Sequence, residues 1–338
     1  MQPPAALARY QRALDDHLRS LVAQTVTLDL SRMLAYHLGW QDISGKPATH
    51  TGKRLRPTLC LLACEGAAGD PARALPAAAA VELVHNFSLV HDDVQDRDEK
   101  RHGRDTVWAV WGEAQAINAG DALLALAHLA LAEMPDAEAA AAASRILNQR
   151  TLEMVEGQVM DIEFEKRVDI GLDAYLEMIS RKTGALFDAA LSLGAVAAAA
   201  PPETTAALGR CGRRLGLAFQ VRDDMLGIWG AESRTGKPVG ADIRRRKKSL
   251  PIVYALDRAE SDERDRLAAV YSASDVVSEN DMTFVMRVLD ALGAQGYCQE
   301  QAAIHRAAAM AELEASALAP AFAAEIREVA DFLLERDF

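Results

Sequence analysis

Two aspartates set four residues apart, Asp92 and Asp96, lie in the run His91-Asp92-Asp93-Val94-Gln95-Asp96. In a helix this spacing places both carboxylates on one face, where like charges repel each other. A cation bound between them removes that repulsion, and hard oxygen ligands with room for water and phosphate suit magnesium. A solvated helix end is the ordinary alternative, but the preceding residues 81–90 are largely apolar. The run therefore predicts a magnesium site.

A second acidic run, Gln220-Val221-Arg222-Asp223-Asp224, follows another apolar stretch. Gln220 and Asp223 are three residues apart and share a helix face. Either acidic run alone is weak evidence of a site. Two carboxylate clusters that face each other across a helix bundle can hold several metal ions around one diphosphate. We therefore take Asp92, Asp96 and Asp223 as candidate metal ligands, with Asp93 and Asp224 as their supporting neighbours.

Basic side chains that could hold phosphates are scattered along the chain. Lys53 and Arg56 share a helix face, and His85 precedes Asp92 by two helical turns. Arginine can bind a phosphate with two hydrogen bonds, and lysine adds a point charge. Further candidates are Arg101, Lys182, Lys237 and Lys247. A solvated surface position is the ordinary alternative for each of them, although Lys182 interrupts a helix otherwise rich in Ala, Leu and Phe.

Helices must position these side chains, because apolar residues recur at three- and four-residue spacing along most of the chain. The 338 residues are 50% hydrophobic and rich in alanine, the best helix former. Breaks fall at Gly69-Asp70-Pro71, Met134-Pro135-Asp136 and Pro201-Pro202, where proline is tolerated in the first turn of a new helix. Strand patterns, internal repeats and long linkers are missing. The pattern predicts an all-α protein with a single domain over residues 1–338.

Charge and cysteine content exclude several classes of protein. A formal net charge of −12 gives no general attraction for nucleic acid or anionic membranes. The four cysteines have no zinc-ligand spacing, and we interpret them as buried small hydrophobic residues. We see no signal peptide at the N-terminus, and the apolar runs are broken by charges or prolines, which argues against a membrane span. We expect a cytoplasmic enzyme.

Together these motifs closely resemble the trans-isoprenyl diphosphate synthases, the polyprenyl synthetase family. The residues that carry the resemblance are Gly52–Pro57, Glu82–Asp96, Gly157-Gln158 with Asp161, Lys182-Thr183-Gly184, Phe219-Gln220 with Asp223-Asp224, Thr235-Gly236-Lys237 and Lys247–Pro251. The resemblance implies a large antiparallel helix bundle around a central cavity, in a homodimer. It implies Mg²⁺ as cofactor, with about three ions per active site. The substrates implied are isopentenyl diphosphate and an allylic diphosphate.

The same resemblance implies a role for each matching residue. Asp92, Asp96 and Asp223 would bind the magnesium ions. Contacts to the allylic diphosphate would come from Arg101, Lys182 and Lys237, and Gln158 and Asp161 would line its pocket. Lys247 or its neighbour Lys248 would take a further phosphate-binding role, and the motif does not distinguish the two because the local alignment could shift by one residue. Lys53, Arg56 and His85 would bind isopentenyl diphosphate. Thr183 and Gln220 would face the developing carbocation, because their polar oxygens stabilise positive charge without acting as nucleophiles.

Three positions depart from the pattern of the family. Gly227 stands where many relatives have a third aspartate in the second motif. His102 replaces the second member of an arginine pair, so that binding of isopentenyl diphosphate would vary with its protonation. Asp105 replaces a proline before Thr106. We interpret all three as variation within an active enzyme.

Product length depends on the depth of the cavity. Phe87 lies five residues before Asp92, about 7.5 Å deeper along the helix, and Ser88 is small. In relatives, one aromatic residue at the deeper position is compatible with a twenty-carbon product, so we favour geranylgeranyl diphosphate over farnesyl diphosphate. Ordinary core packing is the alternative explanation of Phe87.

Two further functions remain open from the sequence. A terpene cyclase would share the helical fold and an acidic motif but would not need Lys53, Arg56 and His85. A non-catalytic regulatory subunit would not need both acidic motifs, and both are substantially intact.

Overall fold

The computed structural model describes residues 4–48, 52, 54–230, 239–273 and 275–334. The amino-terminal half of these residues forms α1 (Ala5–Arg9), α2 (Gln11–Val22), α3 (Leu28–His37), α4 (Leu55–Gly66), α5 (Pro71–Gln95), α6 (Val107–Trp111), α7 (Glu113–Ala132) and α8 (Ala137–Phe164). The remainder forms α9 (Leu172–Ile179), a π-helical turn (Ser180–Gly184), α10 (Ala185–Ala197), α11 (Pro202–Trp229), α12 (Ala241–Arg244), α13 (Leu250–Arg258), α14 (Ser261–Ser272), α15 (Glu279–Ala291), α16 (Ala294–Ala315) and α17 (Pro320–Leu334). The all-α prediction is confirmed. The single-domain assignment stays a prediction.

Local sequence sets where the long helices begin. α5 starts at Pro71, and the Asp70 carboxylate accepts a hydrogen bond of 2.9 Å from the Ala72 N–H. α8 starts in the same way, because the Asp136 carboxylate accepts from the Ala139 N–H at 2.8 Å. These caps satisfy backbone donors that the first helical turn leaves without a partner. The helix starts that the sequence predicted at Asp70-Pro71 and Pro201-Pro202 are confirmed, because α5 begins at Pro71 and α11 at Pro202, and the predicted break at residues 134–136 separates α7 from α8.

α10 lies at the centre of the bundle. Nearly all its residues are buried, and it packs against α4, α5, α8 and α11. Small residues let these helices approach closely: a Cβ atom at Gly194 would lie 2.1 Å from the Cys60 carbonyl oxygen of α4. Because α5 and α11 both pack on α10, the acidic ends of these two helices face one cavity.

A two-stranded hairpin is an exception to the helical pattern and was not predicted. β1 (Lys100–Arg101) pairs antiparallel with β2 (Arg104–Asp105), with Lys100 opposite Asp105. The two loop residues, His102 and Gly103, have φ angles of 50° and 75°. Positive φ at both loop residues is the geometry that suits a tight hairpin. The hairpin positions Arg101 and His102 beside the end of α5.

The prediction of buried cysteines is confirmed, whereas one apolar helix has the length and composition of a membrane span. All four cysteines are free and buried. Among the described helices, α7 is long and apolar enough to pass for a membrane span by length and composition, and 44% of it is buried inside the protein. A core helix of a soluble protein passes the same test, so this is weak evidence of a span.

Candidate active site

The end of α5 presents the first acidic run. Asp92 is half-buried in the cavity wall, and Asp96 follows the last residue of the helix, where its N–H donates to the Asp92 carbonyl at 2.8 Å. Desolvation raises the pKa of Asp92, and the nearby Lys182 ammonium opposes that shift. A carboxylate that is desolvated without a full set of partners gains most from a cation. This end of α5 is therefore suited to bind one.

Asp93 points away from the cavity and holds the hairpin. Its side chain is 2% exposed and accepts a 2.8 Å hydrogen bond from Arg101 Nε. Burial raises the pKa of Asp93 to about 6, although the Arg101 guanidinium favours its charged form. Arg101 also lines the cavity. The ion pair with Asp93 therefore fixes the position of the Arg101 guanidinium at the cavity wall.

In the second acidic run, as in the first, one aspartate lines the cavity and the next one is buried. Asp223 is exposed and lines the cavity, whereas Asp224 is fully buried. Three donors reach the Asp224 carboxylate: Tyr175 Oη at 2.5 Å, the Leu250 N–H at 3.1 Å and Gln220 Nε2 at 3.1 Å. Burial raises the pKa of Asp224 to about 6 despite these donors. Asp224 thus organises the wall behind Asp223.

A π-helical turn carries Lys182 and Thr183 into the cavity between the two acidic runs. Lys182 Nζ donates to Asp161 Oδ2 at 2.6 Å, and Thr183 Oγ1 donates to Gln220 Oε1 at 2.8 Å. A Cβ atom at Gly157 would lie 2.3 Å from the Lys182 backbone nitrogen, so only glycine lets α8 pack this close. Single π-helical turns inside helices frequently occur at functional sites. Desolvation disfavours the Lys182 charge, but Asp161 and Asp92 outweigh it and raise its pKa.

Arg56 and His85 form the basic wall on the amino-terminal side. Arg56 Nη1 lies 3.2 Å from His85 Nε2, and the guanidinium sits 4.7 Å from the centre of the Phe187 ring. Desolvation lowers the pKa of Arg56 to about 10, so it stays charged at neutral pH. Desolvation and the Arg56 charge lower the pKa of His85, which keeps that imidazole neutral.

Arg54 anchors this wall from behind, and the sequence did not identify its role. Its side chain is 3% exposed and lies 2.6 Å from Glu82 and 3.4 Å from Asp15. Its backbone has a φ of 49° at the residue before α4. A buried arginine with two carboxylate partners fixes the start of α4, and Arg56 is the second residue of that helix.

Most of the predicted site residues meet in one cavity of about 510 Å³. Its lining includes these predicted residues: Arg56, His85, Phe87, Ser88, Asp92, Arg101, His102, Gln158, Asp161, Lys182, Thr183, Gln220, Asp223 and Lys247. Asp93, Asp96 and Asp224 are not part of the lining. Lys53 and Lys237 lie outside the described residues.

Phe87 and Ser88 both line the cavity, as the prediction about its depth requires. The Phe87 ring packs edge-on against His91, with ring centroids 4.8 Å apart. A Cβ atom at Gly120 of α7 would lie 2.2 Å from His91 Nε2, so α7 closes tightly behind this pair. Ser88 Oγ donates to the His85 carbonyl at 2.8 Å and adds little bulk.

Several lining residues were missed from the sequence. Tyr175 precedes Lys182 by two helical turns, and that spacing is the only signal that could have indicated it. Gln95 accepts a 2.8 Å hydrogen bond from Gln158 Nε2. The other missed residues are His91 and apolar side chains of the kind that core packing also uses: Leu89, Met154, Val155, Met178, Ile179, Leu186 and Phe219.

The structure explains why residue 227 is a glycine. A Cβ atom there would lie 2.0 Å from Asp242 Oδ2, so the space beside Gly227 is occupied by the Asp242 carboxylate of α12. Asp242 is 8% exposed. A carboxylate from a separate helix therefore stands beside the position where many relatives have an aspartate in α11.

The comparison with known proteins decides the family, because the sequence model of the family described as "Polyprenyl synthetase" matches residues 41–289. The chain belongs to the polyprenyl synthetase family. The resemblance drawn from the motifs is thus confirmed, and the protein is a short-chain trans-prenyltransferase. The cyclase and regulatory-subunit alternatives are accordingly set aside.

Relatives of this polyprenyl synthetase differ in product. The (2E,6E)-farnesyl diphosphate synthase of Mycobacterium tuberculosis is 41% identical over 327 residues, which cover 96% of this chain and 87% of the relative. The geranylgeranyl diphosphate synthase of the same species is 42% identical over 292 residues, covering 86% and 83%. The crystal structure of a polyprenyl synthetase from Streptomyces coelicolor A3(2) has a TM-score of 0.92 at 39% identity and covers 98% of this chain and 99% of that one.

Polyprenyl synthetases generally depend on magnesium, and the residues here fit that ion. Among the described residues, no three His, Cys, Asp or Glu side chains converge on one metal position. Mg²⁺ commonly binds through one or two carboxylates, with water and substrate phosphate completing its shell. Asp92, Asp96 and Asp223 provide this kind of open donor set.

Proposed function

We propose that this prenyltransferase condenses isopentenyl diphosphate with allylic diphosphates and releases geranylgeranyl diphosphate. The supporting observation is the single cavity that joins the acidic ends of α5 and α11, the cationic wall of Arg56 and Arg101, and the pair Phe87 and Ser88. The acidic helix ends and the cationic wall provide charge for the two diphosphates. The polar part of the lining provides a place for a cation, and Phe87 closes the apolar end of the cavity.

Asp92, Asp96 and Asp223 would hold the Mg²⁺ ions, about three per active site, and these ions would supply positive charge to stabilise the departing diphosphate. Arg101, Lys182 and Lys247 hold the same diphosphate from the cavity wall, and Lys237 contributes from outside the described residues. Gln158 and Asp161 line the allylic pocket, where Asp161 pairs with Lys182 at 2.6 Å. That pair holds Lys182 close to the acidic runs.

Isopentenyl diphosphate binds at Arg56, His85 and Lys53, and His102 lies at the tip of the adjacent hairpin. Neutral His85 can donate a hydrogen bond to a phosphate oxygen, and Arg56 supplies the charge. The double bond of this substrate then faces the allylic carbon, which is the geometry that carbon–carbon bond formation needs.

The reaction proceeds by cleavage of the allylic carbon–oxygen bond, attack by the isopentenyl double bond and loss of a proton. The oxygens of Gln220 and Thr183 stabilise the allylic cation as it forms. Apolar lining residues, among them Met154, Leu186 and Phe219, exclude water that would capture the cation. The departing diphosphate takes the proton, as the family resemblance implies.

Phe87 limits the product at twenty carbons, because the small Ser88 leaves the upper part of the cavity open. Farnesyl diphosphate is the second candidate product, and it is favoured by the farnesyl diphosphate synthase that is 41% identical to this chain. In that case the contact between Phe87 and His91 already closes the cavity to a fourth isoprene unit.

The enzyme works in the cytoplasm as a homodimer. α7 and α8 pack together, and both expose apolar side chains: Ile117, Leu129, Leu152 and Val159. Exposed apolar surface of this kind is typical of an interface. A second copy of the chain would cover it.

Product analysis tests the proposal. Purified enzyme is incubated with magnesium, labelled isopentenyl diphosphate and, separately, the five-, ten- and fifteen-carbon allylic diphosphates. A linear twenty-carbon diphosphate supports the proposed product, and a fifteen-carbon end product replaces it with the second candidate. Phe87→Ala is expected to lengthen the product, whereas Phe164→Ala, at a buried phenylalanine outside the cavity, is expected to leave it unchanged. No incorporation from any primer by folded protein would refute the reaction.

A further inference from the structure

Asp224 differs from the other aspartates of the acidic runs because none of its surface is exposed. A buried carboxylate can only accept hydrogen bonds, and leaving either oxygen without a donor costs free energy. Both oxygens are satisfied here: Oδ2 accepts from Tyr175 Oη and from the Leu250 N–H, and Oδ1 accepts from Gln220 Nε2. Its role is therefore to organise neighbouring groups.

The three donors come from three different helices. Tyr175 belongs to α9, Gln220 to α11, and Leu250 is the first residue of α13. Ser249, which precedes α13, makes no side-chain cap, so Asp224 supplies the acceptor that the first turn of α13 lacks. One carboxylate thus joins these helices directly behind the cavity wall.

The carboxylate also decides how the Gln220 amide is turned. Gln220 Nε2 donates to Asp224, and Gln220 Oε1 accepts from Thr183 Oγ1 at 2.8 Å. The opposite rotation would place the amide NH₂ against the Thr183 hydroxyl and the amide oxygen against a carboxylate oxygen, where two acceptors would face each other. Only the observed orientation directs the amide oxygen to the Thr183 side, in the wall of the cavity.

Tyr175 is the least replaceable donor of this set. Its hydroxyl makes the shortest of the three contacts, at 2.5 Å, and its side chain is 2% exposed in the cluster formed by α9, α11 and α13. The Leu250 N–H is fixed by its helix, and Gln220 is the group to be oriented. The tyrosine hydroxyl is therefore the donor that keeps the Asp224 carboxylate in its rotamer while that carboxylate also accepts a hydrogen bond from Gln220.

We propose that Tyr175 is a positioning residue for catalysis, which through Asp224 keeps the Gln220 carbonyl oxygen turned towards the allylic cation. This inference rests on the proposed reaction, in which that oxygen stabilises the cation. The Tyr175 side chain reaches the cavity lining, but its hydroxyl is held by the Asp224 carboxylate, which lies outside that lining. We therefore expect Tyr175 to act on the step that forms the cation and not on the binding of either diphosphate.

Tyr175→Phe tests the inference, since it removes the hydroxyl and keeps the ring. We expect kcat to fall about tenfold, in line with the loss of one hydrogen bond to a charged group, and both KM values to stay within about twofold. Tyr271→Phe is the matched control, because Tyr271 is also buried and its hydroxyl has no hydrogen-bond partner among the described residues. That variant is expected to keep the wild-type kcat.

A double-mutant cycle separates positioning from general stabilisation. In a Gln220→Ala background, Tyr175→Phe is expected to change kcat less than twofold, because the group that it orients is gone. Equal effects of Tyr175→Phe in both backgrounds would overturn the inference, as would an unchanged kcat or a rise in KM alone. If Tyr175→Phe does not fold by circular dichroism, Asp224→Asn takes its place in the same cycle with the same criteria. Wild-type enzyme that makes no product would instead refute the proposed reaction.

Discussion

The two acidic runs look alike in sequence, yet the structure holds their second aspartates by different means. Asp93 pairs with a cation, Arg101, at 2.8 Å, on a hairpin outside the helix bundle. Among the described residues, Asp224 accepts its hydrogen bonds from neutral donors of the bundle itself, while the Lys247 ammonium stabilises its charge without being one of those donors. An ion pair places a charged side chain at the cavity, whereas neutral donors orient an amide without adding charge. The first run thus positions charge for a diphosphate, and the second positions a dipole for a cation.

The largest expected effect concerns the aspartates of the two runs that line the cavity. Asp92→Ala is expected to lower kcat by about 10³-fold and Asp223→Ala by about 10²-fold, because Asp92 is less exposed and its charge acts through less water. Steady-state kinetics at saturating magnesium measures both. Asp16→Ala is the control, at a side chain that is 71% exposed in α2. A larger loss for Asp223→Ala would reverse this ranking of the two runs.

Gly227→Asp tests whether the second run lacks a carboxylate. Because the Asp242 carboxylate already occupies that space, we expect the added charge to repel it and to lower kcat by about tenfold, with a lower Tm. Gly227→Ala separates crowding from charge, and Gly296→Asp is the control at a helical glycine with open space around it. Higher activity in Gly227→Asp would show that the run is one ligand short.

Asp93→Asn weakens the ion pair that positions Arg101. We expect the KM for the allylic diphosphate to rise about fivefold with little change in kcat, because the guanidinium is no longer held at the cavity. Arg97→Gln, which breaks an exposed ion pair with Glu113, is expected to change neither value. If Asp93→Asn lowers kcat and leaves KM unchanged, the first run would act on the cation as the second does.

The smallest effect concerns stability at low pH. Desolvation lowers the pKa of His37 to about 3, and the charges of Arg101 and Arg104 add to the shift. Below about pH 6.5, the His37 side chain binds a proton in the unfolded chain but not in the folded chain. The contribution of His37 to the free energy of unfolding is therefore fully present above about pH 6.5, and the free energy of unfolding falls by up to about 1.4 kcal/mol per pH unit below it. Urea unfolding between pH 5 and 7 measures the slope, which His37→Gln is expected to reduce and His128→Gln, at an exposed histidine, is not. Equal slopes in all three proteins would contradict the shift.

Several elements of the fold and the site were predictable because local chemistry determines them. Proline and aspartate mark the starts of α5 and α8, and helical periodicity identifies the long helices that carry both acidic runs. Asp92, Lys182 and Asp223 stand out because charge in an apolar helix is costly and needs an explanation. The family match and the shared cavity agree with those predictions.

Other features were not predictable because they depend on contacts between distant segments. Arg54 looks like one more exposed cation until the fold brings Glu82 and Asp15 to it. The hairpin around His102 has no alternating pattern and needs only two residues per strand. The π-helical turn at Ser180–Gly184 packs closely against α8 at Gly157, a contact that no local rule indicates.

By itself, the sequence determined that the protein is helical and that two pairs of carboxylates lie late in apolar helices. It also identified the basic residues that could bind phosphate. Spacing along a helix is enough for this, because residues three or four apart share a face whatever the rest of the fold does. The tertiary structure alone decided that Asp224 meets Tyr175 and that Asp242 stands beside Gly227. Those partners come from other helices, and only the packing of the bundle brings their polar atoms within hydrogen-bonding distance.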